Sequence, residues 1–323
     1  MKSSSYRRVV MSLTATVLGL VACGGPQPTS TPLPPTPTPV PPTLQPTDAP
    51  QPTNAAEPRP QYFNTAWADS YPDMHKVVVQ NVTYRTVDDT SLTMDVYYPP
   101  DMKADERLPA VIFVFGYTDS AAKRLVGSPL KDYSQYTSWG RLMAASGLIA
   151  LTYQTQQPDD LETLVEYTRK NAASMNIDAD RIGLWSCSAN GPTAVSFAMQ
   201  PGRGYLKCAV FYYAHMLTPD DKFRGQTNGM CASRGCYGAE LRDVKELRKD
   251  LPLLVVRAGR DEVPFVNESI DHFMSVAAPS DVQITLVEHA EGVHAFDTER
   301  WSDRSRELIE QTLEFMRTNL AGE

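Results

Sequence analysis

Six segments of this chain are almost continuously apolar, and each is short enough to be a single strand. They occupy residues 109–115, 148–153, 182–185, 208–213, 253–258 and 283–287. A continuous apolar run indicates a strand that is buried on both faces, which is typical of a parallel sheet covered by helices. Helical patterns lie between or after these runs, at residues 160–175, 192–199, 267–276 and 304–320. The alternation predicts an α/β fold with a mostly parallel central sheet and helices on both faces.

The sheet is predicted to begin with an antiparallel hairpin. Residues 75–85 and 92–98 alternate apolar and polar side chains, and Asp88 and Asp89 lie between them as turn residues. In a mostly parallel sheet, ligands bind at the carboxyl ends of the strands. Candidate functional residues are therefore expected directly after the strands.

The amino terminus has the order of a secretory signal. Basic residues precede an apolar run at residues 9–22, which is too short to span a bilayer comfortably. The run ends in Leu-Val-Ala before Cys23, which resembles the lipobox of bacterial lipoproteins. The resemblance implies that residues 1–22 are a cleaved signal peptide, that Cys23 carries a lipid, and that the exported chain is anchored to a bacterial membrane. A plain signal peptide is the alternative.

Residues 23–60 contain 14 of the 26 prolines in the chain, mixed with Thr and Gln. Such a segment cannot build a core and favours extended polyproline II, so we expect a disordered tether. Residues 61–323 are then long enough for one large folded domain. The net charge of -8 disfavours nucleic acid or anionic lipid as a partner, because both need a basic surface. Contact with the membrane is predicted through the N-terminal lipid alone.

Two of the five cysteines are close enough in sequence to form a local disulfide bond. Cys231 and Cys236 flank a short loop-like stretch in which Gly235 permits a tight turn. A metal site is the less favoured alternative, because there is no second cysteine pair or nearby histidine to complete four ligands.

A candidate nucleophile follows the apolar run at residues 182–185. The chain continues Ser186-Cys187-Ser188-Ala189-Asn190-Gly191 and then enters a helical pattern, which is a strand, sharp turn and helix. This segment resembles the GxSxG nucleophile elbow of α/β-hydrolases, with Ser188 as the nucleophile. It departs from that pattern at both glycines, which are Ser186 and Asn190 here, and Gly191 comes one place late.

Two further segments resemble the same family. Gly259-Arg-Asp261 after the run at 253–258 is similar to the segment whose aspartate orients the catalytic histidine, and Gly292-Val-His294-Ala-Phe is similar to the histidine segment of dienelactone-hydrolase-like members. The order Ser, Asp, His is the order that this fold requires. Glu262 and His289 are the alternative acid and base.

The family also needs an oxyanion hole made of two backbone N–H groups. The resemblance assigns these to Tyr117, which follows the strand at 109–115, and to Ala189, which follows the nucleophile. Gly116 would allow the close approach of the backbone that a developing alkoxide requires. The Gly-Tyr-Thr sequence at 116–118 is also similar to the corresponding turn of cutinases and bacterial polyester hydrolases.

The resemblance covers nearly all of residues 75–320. It implies that a Ser188–His294–Asp261 triad hydrolyses carboxylic esters through an acyl-enzyme, without metal or organic cofactor. The expected substrate is a small-molecule or carbohydrate-borne ester. A prolyl-oligopeptidase-like peptidase and a catalytically inactive binding protein are the alternatives, and a thiol mechanism at Cys187 is a minor one.

Residues 214–250 lie where this fold often covers its substrate. They are expected either to border the acyl pocket or to form a solvated surface loop. The apolar residues expected to line the pocket are Met216, Phe223, Met230 and Tyr237.

Overall fold

A computed structural model describes residues 70–234, 237, 240–299 and 302–321. The leader, Cys23 and the proline-rich segment lie outside these residues, so the predictions made for them stay predictions. Among the described residues, none of the helices combines the length and apolar character needed to cross a membrane.

Eight strands form one mixed sheet. In chain order they are β1 (Val78–Val87), β2 (Thr90–Tyr98), β3 (Leu108–Phe113), β4 (Ile149–Tyr153), β5 (Ile177–Cys187), β6 (Leu206–Tyr212), β7 (Leu253–Ala258) and β8 (Ile284–His289). Their order across the sheet is β1-β2-β4-β3-β5-β6-β7-β8. The pairs β1–β2 and β2–β4 are antiparallel, and the remaining pairs are parallel. The predicted α/β class and mostly parallel sheet are confirmed.

Eight α-helices accompany the sheet. They are α1 (Asp119–Val126), α2 (Ser134–Ala145), α3 (Asp160–Lys170), α4 (Gly191–Ala198), α5 (Arg224–Arg234), α6 (Val266–Ala277), α7 (Phe296–Glu299) and α8 (Asp303–Leu320), within the parts of the chain that are described. The sequence patterns located α3, α4, α6 and α8, although α3 ends at Lys170 instead of near residue 175. The prediction missed α1, α2, α5 and α7.

The amino-terminal hairpin is confirmed, with β1 beginning three residues later than predicted. A short 3₁₀ helix, Pro72–Lys76, occupies the residues immediately before it. Asp88 and Asp89 make the turn, and both have positive φ angles of 45° and 64°. Asp tolerates this left-handed region better than most residues, which explains why the hairpin closes at this point.

The prediction that every apolar run is buried on both faces is wrong for β8. This strand pairs only with β7 at the edge of the sheet, and Leu286 is 42% exposed. The central strands agree with the prediction, because every residue of β4 is buried and only Leu108 of β3 is partly accessible. Position within the sheet, which a single run cannot encode, accounts for the difference.

Large aromatic side chains fill the core around the middle of β5. The ring of Trp185 lies 5.1 Å from that of Trp139, 5.5 Å from that of Tyr212 and 5.2 Å from that of Phe113, measured between centroids. All four residues are fully buried. They join helix α2 to strands β3, β5 and β6, and they form a rigid floor two residues before the end of β5.

Candidate active site

The end of β5 makes a sharp turn at Ser188. Strand β5 stops at Cys187, and Ser188 has a φ angle of 52°, in the left-handed region that non-glycine residues seldom adopt. A single 3₁₀ turn, Ser188–Asn190, then leads into helix α4. This strained turn leaves the serine side chain partly accessible at the carboxyl end of a central strand, as a nucleophile elbow requires.

Gly191 comes one place later than the second glycine of the GxSxG pattern, and it has a packing role. A Cβ atom on Gly191 would lie 2.7 Å from the carbonyl oxygen of His215 and 2.9 Å from the Cβ of Ala214. The start of α4 therefore packs directly against the backbone that follows β6. This contact requires glycine at position 191.

The structure brings the three predicted triad residues together. Ser188 Oγ lies 2.8 Å from His294 Nε2, and His294 Nδ1 lies 2.8 Å from Asp261 Oδ2. The Asp261 side chain is fully buried, and its other oxygen accepts a hydrogen bond from the N–H of Val263 at 2.9 Å. The imidazole therefore bridges an accessible hydroxyl and a buried, oriented carboxylate.

Backbone contacts hold the Asp261 loop against the His294 loop. The N–H of Gly259 donates to the carbonyl of His289 at 2.9 Å, and the N–H of Arg260 donates to the carbonyl of Gly292 at 2.8 Å. A Cβ on Gly259 would collide with the backbone of Ala290, so glycine is needed where the two loops cross. The crossing explains the glycine at position 259, whereas a Cβ on Gly292 would meet the side chain of His289, 2.7 Å away.

The residues considered as the alternative base, acid and nucleophile are His289, Glu262 and Cys187, and the structure gives them other surroundings. His289 Nε2 is 3.3 Å from Ser302 Oγ, its ring packs edge-on against Phe296, and Glu262 is exposed. Cys187 is buried, with Sγ 3.4 Å from the hydroxyl of Tyr136. Burial raises the pKa of the Cys187 thiol to about 12, which opposes formation of the thiolate that a thiol mechanism needs.

The two predicted oxyanion donors lie on neighbouring loops. A Cβ on Gly116 would be 3.0 Å from the carbonyl oxygen of Ala189, so the Gly116–Tyr117 turn packs directly onto the elbow. Among the described residues, the N–H groups of Tyr117 and Ala189 donate no backbone or side-chain hydrogen bond. Within the described part of the chain, neither N–H has an acceptor, as the donors of an oxyanion hole require.

A buried hydrogen-bond network next to His294 was not predicted from the sequence. The ring of Tyr213 lies 4.7 Å from the imidazole of His294, and its hydroxyl donates to Asp297 Oδ1 at 2.5 Å. Trp139 Nε1 donates to Asp297 Oδ2 at 2.7 Å, and Gln135 Nε2 donates to the Tyr213 hydroxyl at 2.8 Å. Burial raises the pKa of Asp297, although these donors oppose that shift. The position of Asp297, three residues after His294, was the only signal in the sequence.

His215 is a second residue that the sequence analysis passed over. Its backbone N–H donates to the carbonyl of Ser188 at 3.1 Å, and its side chain is 2% exposed. Burial, and next the positive charge of His294, lower the pKa of His215 to about 4. The imidazole is therefore neutral at pH 7, and among the described residues its Nδ1 has no hydrogen-bond partner.

Residues 214–250 are partly helical. They contain α5 and, further on, a 3₁₀ turn at Val244–Glu246. Met216 is fully buried in the core, the Phe223 ring stacks on Phe265 at 4.9 Å, and the Tyr237 hydroxyl lies 2.6 Å from Thr155 Oγ1. The side chain of Met230 and the proposed bond between Cys231 and Cys236 lie outside the described part of the structure.

No protein-family model and no curated protein matches this sequence. Solved structures do match, among them esterase 2 of the planctomycete Thermogutta terrifontis. Its sarin-phosphonylated form has a TM-score of 0.57 at 18% identity over 76% of this chain and 97% of that chain. The apo form has a TM-score of 0.56 at 19% identity over 76% and 97%, and the propionate-bound form 0.55 at 19% over 78% and 98%.

This chain has the α/β-hydrolase fold. At such low identity the similarity shows the fold alone.

Proposed function

We propose that this chain is a serine hydrolase that cleaves carboxylic esters through an acyl-enzyme. The observation that carries the proposal is the continuous Ser188–His294–Asp261 arrangement, with both joining distances at 2.8 Å. The strained φ of Ser188 and the buried carboxylate of Asp261 are features that a merely structural hydrogen-bond chain does not need.

In the first half-reaction, Ser188 Oγ attacks the ester carbonyl carbon while His294 Nε2 takes the hydroxyl proton. An ionised carboxylate only accepts hydrogen bonds, so Asp261 keeps a proton on His294 Nδ1 and leaves the lone pair on Nε2. The tetrahedral oxyanion is placed between the N–H groups of Tyr117 and Ala189. The C–O bond to the alcohol then breaks, and His294 gives its Nε2 proton to the departing oxygen.

In the second half-reaction, water takes the place of the alcohol. His294 removes a proton from the water as the hydroxide oxygen bonds to the acyl carbon, and the same two N–H groups bind the oxyanion. Cleavage of the bond between the acyl carbon and Ser188 Oγ releases the acid, and the serine regains its proton. No net oxidation occurs.

The test uses p-nitrophenyl acetate and butyrate with wild type and Ser188→Ala. Short acyl chains are the first choice because related structures of T. terrifontis esterase 2 hold propionate and butyrate. We expect wild type to hydrolyse at least one of the two esters, and a fluorophosphonate probe to label Ser188. We expect a loss of at least about 10³-fold in kcat for Ser188→Ala, in the range known for triad nucleophiles.

Cys187→Ala is the matched control, because it changes the neighbouring residue without removing the hydroxyl nucleophile. It should keep most of the activity and the labelling. Hydrolysis or labelling retained in Ser188→Ala would refute the assignment. Faster cleavage of a peptide amide than of either ester would favour the peptidase alternative.

We also propose that the protein is exported and held at a bacterial membrane by lipid on Cys23. The support is the sequence alone, namely the signal-like leader and the lipobox-like residues before Cys23. Cys23→Ser should move the protein from the detergent phase to the aqueous phase in a phase-separation assay. Unchanged partitioning would contradict the proposal.

A further inference from the structure

The side chain of Asn190 links the nucleophile elbow to the turn that carries Tyr117. Its Oδ1 accepts a hydrogen bond from the N–H of Gly116 at 2.7 Å, although the two residues are 74 positions apart. Asn at the start of a helix usually caps that helix, yet Asn190 makes no side-chain cap to α4. Its amide is used across the site instead.

The other end of the Asn190 amide is also held. Nδ2 donates to the hydroxyl of Tyr136 at 2.8 Å, and both side chains are 3% exposed. A backbone N–H can only donate, so the contact with Gly116 requires the oxygen of the amide on that side. The orientation of Asn190 is therefore fixed by its two partners.

The next peptide unit along the turn is held from the opposite side. The carbonyl of Gly116 accepts a hydrogen bond from the N–H of Tyr237 at 2.6 Å. This carbonyl and the Tyr117 N–H belong to one trans peptide group, so they point in opposite directions. The Tyr117 N–H thus points away from Tyr237, and a carbonyl that accepts a hydrogen bond polarises the N–H of its own peptide.

We propose that Asn190 is a positioning residue for the oxyanion hole. By holding Gly116, it fixes the distance between the Tyr117 N–H on one loop and the Ala189 N–H on the other. This inference rests on the proposed function, since the two N–H groups matter only where an oxyanion forms. Oxyanion donors act mainly in the transition state, so the effect belongs in kcat.

The second departure from the glycine pattern provides a matched control. Ser186 is 1% exposed, and among the described residues its hydroxyl has no hydrogen-bond partner. Ser186→Gly and Asn190→Gly each restore one glycine of GxSxG, but only the second breaks the contact with Gly116. If Asn190 were merely tolerated in place of glycine, both substitutions would have similar effects.

The experiment measures kcat and KM of wild type, Ser186→Gly and Asn190→Gly on p-nitrophenyl acetate. Removing one oxyanion donor costs about 10²–10³-fold in kcat, so a misplaced donor should cost about 10-fold to 100-fold. We expect that loss for Asn190→Gly, with KM within about threefold of wild type, and a change of less than about threefold in kcat for Ser186→Gly. A kcat of Asn190→Gly within threefold of wild type would overturn the proposal.

Tyr136→Phe decides the question if Asn190→Gly fails to fold. It removes one hydroxyl, keeps the ring and releases the Asn190 amide. A fall in kcat of at least about threefold at unchanged KM supports the proposal, and an unchanged kcat overturns it.

Hydrogen exchange at the Gly116 amide separates this proposal from the proposed function. We expect exchange at least about tenfold faster in whichever of the two variants folds, because its N–H loses a firmly held acceptor. If wild type hydrolyses no ester, the proposed function fails while accelerated exchange still supports the link. Unchanged exchange at Gly116 would overturn the positioning role of Asn190, whether or not wild type hydrolyses an ester.

Discussion

Tyr213 joins the imidazole of His294 to the buried carboxylate of Asp297. Its ring lies against the imidazole with centroids 4.7 Å apart, and its hydroxyl donates to Asp297. Tyr213 also has a φ angle of 35°, so the backbone is strained to place the side chain there. The network thus packs against the imidazole that bridges Ser188 and Asp261.

Tyr213→Phe should lower both stability and turnover. It removes the hydroxyl that donates to the buried Asp297 carboxylate, which we expect to cost about 1–3 kcal/mol in the free energy of unfolding. A disturbance of about 1 kcal/mol in the barrier corresponds to about fivefold in kcat. Urea denaturation and steady-state kinetics measure the two effects.

Tyr84→Phe is the control for this change. Tyr84 is also buried, and its hydroxyl donates to the carbonyl of Gln154 at 2.6 Å. It lies on β1, the edge strand at the opposite end of the sheet from β8, which leads to His294. We expect a loss of stability but no change in kcat. Equal losses of kcat in both variants would show that Tyr213 acts only through stability.

Gly191→Ala should destabilise the protein because the new Cβ would meet the backbone of His215 and the Cβ of Ala214. Inserting a methyl into close-packed structure costs about 1–3 kcal/mol. Gly204→Ala is the matched control, since a Cβ there would meet nothing within 4 Å. Its unfolding free energy should stay within about 0.5 kcal/mol of wild type. Similar denaturation midpoints for the two variants would disprove the packing role of Gly191.

His215 should make stability depend on pH. Its folded-state pKa of about 4 lies below the ordinary value of 6.5, so the unfolded chain binds the proton more readily. The contribution of the neutral histidine is complete above pH 6.5 and is lost as pH falls towards 4, by about 3 kcal/mol in total. His215→Gln should lack this component. Urea denaturation at pH 7 and pH 4 measures the unfolding free energy of both proteins. If His215 were not the cause, wild type and His215→Gln would lose the same amount between the two pH values.

A bond between Cys231 and Cys236 should affect kinetics more than stability. The loop it would close is short, so it constrains the unfolded chain only modestly. Tyr237, the next residue, holds the carbonyl of Gly116, so loosening this segment should alter KM or acyl-chain preference. The Cys231→Ser, Cys236→Ser double variant tests this effect, beside mass spectrometry of the exported protein. Two free thiols would exclude the bond, and unchanged kinetics would exclude its influence on the site.

Local patterns in the sequence were sufficient to predict the eight strands of the sheet and four of the eight described α-helices. The run at 253–258 matches β7 residue for residue, because this strand is paired on both sides and five of its six residues are apolar and buried. Helix α2 was missed because eight of its twelve residues are buried, which leaves only a narrow accessible face to produce a helical period. The accessible edge strand β8 was mistaken for a buried one because its neighbours are set by the fold.

The triad geometry could be anticipated because Ser188, Asp261 and His294 each follow a strand in a recognisable local segment. The contacts that support this geometry could not be anticipated from the sequence. Asn190 was recognised only as a departure from the glycine pattern, and its partners Gly116 and Tyr136 lie 74 and 54 positions away. Contacts of this kind depend on how distant strands are ordered, and no local pattern contains that information.

The strand order has a consequence for how the protein responds to heat. Ser188 follows β5, which is paired on both sides, whereas His294 follows β8, which is paired on one side and exposes Leu286. Edge elements open locally at a lower free-energy cost than the centre of a sheet. On warming, the base should separate from the nucleophile while the central strands remain intact. Inactivation should therefore begin below the melting temperature recorded by circular dichroism, and brief heating in that interval should be reversible.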